Sequence, residues 1–66
     1  MSPEEARVRA EINWHRLAAL GMSMCVDLHE RNGDRAAARR CRGQGLAHLA
    51  ESERLTATLK DKTDES

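Results

Sequence analysis

Apolar side chains along this chain recur mostly three and four positions apart, the spacing of one helix face rather than the alternation of a strand. No strand pattern competes. Phe and Tyr are absent, and Val8, Ile12 and Val26 are the only β-branched apolar residues. Ser2-Pro3-Glu4-Glu5 reads as a helix start: Ser2 can cap, Pro3 suits the first helical position, and Glu5 closes a capping box. The one strong break is Asn32-Gly33-Asp34, where Gly33 fits a left-handed position and Asp34 can cap the next helix. The pattern therefore predicts helices over 3–31 and 35–60, a turn at 32–34, and a polar tail over 61–66 that frays. The expected fold is all-α, a single αα-hairpin over 1–66.

Turning each helix by about 100° per residue sorts its side chains into faces. Helix 1 has two apolar sectors. One holds Trp14, Leu17, Gly21, Met24, Cys25 and Leu28; the other holds Val8, Ile12, His15, Ala19, Met22 and Val26. Helix 2 has one, of mostly small residues: Ala37, Ala38, Cys41, Gly45, His48, Leu49, Ser52, Leu55 and Leu59. Folding about Gly33 sets Gly21 opposite Gly45, Cys25 opposite Cys41, Leu17 opposite Leu49, Leu28 opposite Ala38 and Trp14 opposite Ser52. The hairpin core expected on this basis is Trp14, Leu17, Gly21, Cys25, Leu28, Cys41, Gly45, Leu49 and Leu55. The second sector, Val8, Ile12, Ala19, Met22 and Val26, is left as an interface, with dimerisation into a four-helix bundle as its simplest use.

Composition strengthens the case for a partner. Of the 39% hydrophobic residues, many are alanine, and Trp14 is the only aromatic ring of its class, so large apolar groups are scarce for a chain of 66 residues. A catalytic pocket is hard to enclose with two helices, and no nucleophile, base and orienting group share a face, so an enzyme is not expected. Formal charge is zero, yet Arg31, Arg35, Arg39, Arg40 and Arg42 crowd the hairpin tip with Asp34 as the only acid among them. That tip can bind phosphate or an acidic partner. It can also be a solvated surface, with Asp27 one turn from Arg31. No aromatic residue lies among the arginines to stack on bases.

Cys25 and Cys41 can either bridge the hairpin as a disulfide or fill it as small thiols, and the second is the expectation. Cys25, His29 and Cys41 fall short of a zinc set, because the residue opposite His29 is Ala37 and His48 lies two turns from Cys41. Neither a metal nor another cofactor is expected. The acidic opening segment has no apolar stretch of the secretory kind, and Leu17–Leu28 is too short and too polar to span a bilayer, so a cytoplasmic location without membrane contact is expected. Gly33-Asp34, Ala38 and Gly45-Leu46 resemble the second helix of a tetratricopeptide repeat over about fourteen residues. In size and layout the chain is similar to the Rop family of RNA-regulating hairpins, which implies a dimeric bundle. The function expected is that of a small adaptor or regulator working by helix–helix association, with itself or a larger protein as partner and no small-molecule substrate. The alternative is a Rop-like nucleic-acid-binding regulator using the arginine tip.

Overall fold

The computed structural model describes residues 2–64, with side chains to Asp61. Two helices make up the described chain: α1 (Pro3–Arg31) and α2 (Arg35–Asp64), packed antiparallel along a body of 51 × 15 × 10 Å. The fold is the expected all-α hairpin. Ser2 caps α1 by accepting from the Glu5 N–H at 3.1 Å, and Pro3 follows at the first position, where a missing N–H costs nothing. Asp34 caps α2, its Oδ1 accepting from the Ala37 N–H at 3.0 Å. The α2 backbone continues past Lys60 to Asp64, one turn beyond the expected end, while the last two residues of the polar tail lie outside the described ones.

The turn is closed by backbone alone. Gly33 sits at φ +77°, which only glycine adopts without strain. The Asp34 N–H reaches the His29 carbonyl at 2.8 Å and the Gly33 N–H the Glu30 carbonyl at 3.1 Å, a Schellman closure. It fixes where α2 sets off relative to α1, and hence which side of α1 is covered.

The covered side is the opposite of the one read from the pattern. Ile12, Ala19 and Val26 are buried against α2, with Val8 and Met22 half-buried beside them. These residues, expected to face a partner, are the α1 half of the hairpin core. Trp14, Leu17 and Leu28, expected in that core, are between 57% and 68% exposed; Cys25 and Gly21 are half-buried. Both faces of α1 are apolar, so periodicity alone cannot rank them, and the three-residue turn makes the choice.

On α2 the expected face holds for Ala37, Ala38, Gly45, Ser52, Leu55 and Leu59, all buried, whereas Leu49 stays 44% exposed at the rim and Cys41 and His48 are half-buried. Ile12 packs with Leu55 and Leu59, and Val8 covers them. Ser52 is buried without penalty because its hydroxyl donates to the Leu49 carbonyl at 2.8 Å.

Gly45 does meet α1, but not at Gly21. A methyl group built on Gly45 would lie 3.2 Å from the Met22 Cβ and 3.8 Å from the Ala19 carbonyl oxygen, while one built on Gly21 or Gly43 would meet nothing within 4 Å. Of the helical glycines, Gly45 is therefore the one that lies tight against the other helix, and Gly43 only weakens its own. Gly43→Ala should raise stability by about 1 kcal/mol through helix propensity. Gly45→Leu should lower it by about 1–3 kcal/mol through overpacking. Urea unfolding at one fixed protein concentration measures both; a stabilised Gly45→Leu would show that the helices do not touch there.

Candidate functional site

With the inner face of α1 spent on α2, its outer face is bare. Trp14, Leu17, Leu20, Met24 and Leu28 are all well over half exposed. With Ala10, Gly21 and Arg31 they follow the alternating four-and-three spacing of a heptad seam, Leu20 flanking it. By helical rotation this seam points about 180° from the face buried against α2. Five large apolar side chains in one strip are more than the scattered exposed residues a soluble protein normally shows. Gly21 opens a notch midway along the strip, since no atom approaches its missing Cβ. Leu20 and Leu46 were absent from the expected sites. Leu20 lies off the four-and-three spacing, beside the sector through Gly21 that the pattern already showed, so periodicity alone did not mark it.

Leu46 and Leu49 border a shallow groove between the helices, about 320 Å³, whose other walls include Met22, Val26, Cys41 and Gly45. Cys25 and Cys41 are free thiols, both half-buried. Among the described residues no three His, Cys, Asp or Glu converge on a point where a metal ion could sit, and no helix is long and apolar enough to cross a membrane.

A histidine pair ties the helices together near mid-length. The Nδ1 atoms of His15 and His48 are 2.9 Å apart, and with ring centroids 5.1 Å apart the imidazoles meet almost end to end. In such a contact one Nδ1 donates and the other accepts, the roles following from which ring carries the proton there. This head-on approach makes a hydrogen bond; two lone pairs chelating a metal would converge at an angle instead. Trp14 lies edge-on to both rings, 4.9 Å from His15 and 5.3 Å from His48 between centroids. The indole thus joins the inner polar contact to the outer apolar strip. Glu51 is close enough to feel His15, but its carboxyl is held below its usual range first by the hydrogen bond from Arg54. Both partners are at the surface, so the pair contributes little to stability.

At the tip, Arg42 pairs with Glu30 across the helices at 2.7 Å. Arg35, Arg39 and Arg42 line one depression of about 470 Å³ with Glu30, Gly33 and Ala38. Arg40 and Arg31 are not among its walls; Arg31 instead joins Met24, Cys25, Asp27 and Leu28 at the end of the outer strip. The five arginines are therefore not one patch.

Neither a family model, nor a curated protein, nor a solved structure matches this chain.

The histidine contact makes a testable demand. In a double-mutant cycle of His15→Ala and His48→Ala, the coupling at neutral pH should be about 0.5–1.5 kcal/mol, the net worth of one part-buried hydrogen bond. Additive effects at neutral pH would mean the rings do not bond.

Proposed function

We propose that this chain is a small non-catalytic interaction protein, an adaptor or regulator, that works by helix–helix association through the outer face of α1. The observation carrying this reading is the heptad-spaced strip of Trp14, Leu17, Met24 and Leu28, flanked by Leu20 and left exposed by the hairpin's own packing. The non-catalytic part rests on the shallowness of the concave sites and on the histidine pair, whose Nδ1 atoms are engaged with each other. Two cysteines, too few for a disulfide scaffold, support a reducing setting such as the cytoplasm. The test is a photo-crosslinking side chain at Leu20, with the same probe at exposed Glu53 on α2 as control, in the cell that makes the protein. A discrete adduct is expected from position 20 alone, abolished by Leu17→Asp, which puts a charge into the contact. Equal labelling from both positions, or adducts indifferent to Leu17→Asp, contradicts the reading.

A second reading, a nucleic-acid-binding regulator, draws support from the arginine depression. Arg35, Arg39 and Arg42 follow one another at four and three residues, so about 6 and about 4.5 Å along the axis, a row suited to successive phosphates. If they grip a duplex backbone, changing all three to Gln should weaken binding and reduce the slope of log K against log salt by about 3. A salt slope unchanged by the triple substitution would discard this reading.

A further inference from the structure

The outer strip of α1 needs an occupant, and the dimensions of the hairpin point to one. Its accessible surface is 5094 Å². A compact monomer of 7.4 kDa exposes about 4,200 Å², so this chain carries roughly 900 Å² in excess. A standard specific interface removes about 800 Å² from each partner. The radius of gyration, 15.2 Å, likewise exceeds the ~11 Å of a compact chain of this length. The excess is close in size to the area one protomer of a dimer would lose.

The shape of the strip suits its own copy. A two-fold interface must be self-complementary, with each residue i that meets j matched by j meeting i. Running two α1 strips antiparallel, so that facing residue numbers sum to 38, places Leu17 of each copy over Gly21 of the other. The same register sets Trp14 against Met24 and Ala10 against Leu28. Each layer then joins a large side chain to a small one, or an indole to a thioether, which are pairings that fill space without voids. It also gives a use to Gly21, a mid-helix glycine that the hairpin itself does not need. Arg7 and Arg31 face each other at the two ends of this register, where long side chains can turn outward to water.

We propose that the outer face of α1 is covered by the same face of a second copy of this chain, running antiparallel, with Leu17 seated in the notch at Gly21. The proposal rests on the interaction reading above and adds the identity and direction of the partner.

The test uses sedimentation for mass and a short bismaleimide linker for direction, in the full chain with Cys25 and Cys41 changed to Ser. In this register Leu20 lies close to the two-fold axis, while the two copies of Leu28 are about 27 Å apart. The dimer mass is expected at micromolar concentration, with L20C cross-linked efficiently and L28C at least tenfold less. Gly21→Leu, which fills the notch, should shift the chain toward the monomer mass while its circular dichroism stays helical. Four results would overturn the proposal. Equal cross-linking at both positions would mean a parallel pair, and a dimer unaffected by Gly21→Leu would mean another register. A monomeric mass combined with Leu20 adducts to other proteins would reject the second copy and leave the interaction reading standing; a monomer without such adducts would remove both.

Discussion

Everything in this hairpin follows from the close contact between the small-residue face of α2 and one side of α1. Ala37, Ala38, Gly45 and Ser52 offer α1 almost no side-chain volume, so the helices approach until a Cβ on Gly45 would crowd Met22. The gap left between them accepts Ile12, Ala19 and Val26, while Leu55 and Leu59 thicken the seam toward the open end. Such a core is thin. No described side chain is sealed off completely, and most of the bulk that α1 carries lies on its other side.

That division explains why the outer strip is large and why Trp14 sits where it does. The indole edges onto the histidine pair that links the helices, yet keeps 60% of its surface open beside Leu17 and Leu28. An association through the strip, as proposed, would share this residue with the closure of the hairpin. A partner that covers Trp14 also shields the His15–His48 hydrogen bond from water, where it is worth more.

Much of the architecture was legible in the sequence because local chemistry dictates it. Ser2 and Pro3 start α1, Gly33 ends it in the one conformation glycine alone tolerates, and Asp34 starts α2; each is a self-contained signal. The buried face of α2 was legible too, since it is the only one that helix has. The orientation of α1 was not. Its two faces are both apolar, Val8 to Val26 and Trp14 to Leu28, and a hydrophobic pattern says only that each wants covering. The choice is made by the exit direction at His29–Asp34, a three-dimensional property of the closed turn. The contact between His15 and His48 was hidden for the same reason, because it depends on which side of α1 turns inward. Among the five arginines, the row of Arg35, Arg39 and Arg42 was readable from spacing, but its separation from Arg31 and Arg40 needed the packed tip.

The central claim, that Trp14 and its neighbours lie outside the hairpin and inside an association, can be read from one chromophore. Trp14 is the sole tryptophan, so acrylamide quenching of its fluorescence, followed across a dilution series with helicity monitored alongside, reports on that face alone. Weak quenching is expected at high concentration, rising on dilution while the chain remains helical. Strong quenching at every concentration would mean the face stays bare, and protection that persists in the dilute helical monomer would place Trp14 in the hairpin core; either result contradicts the account.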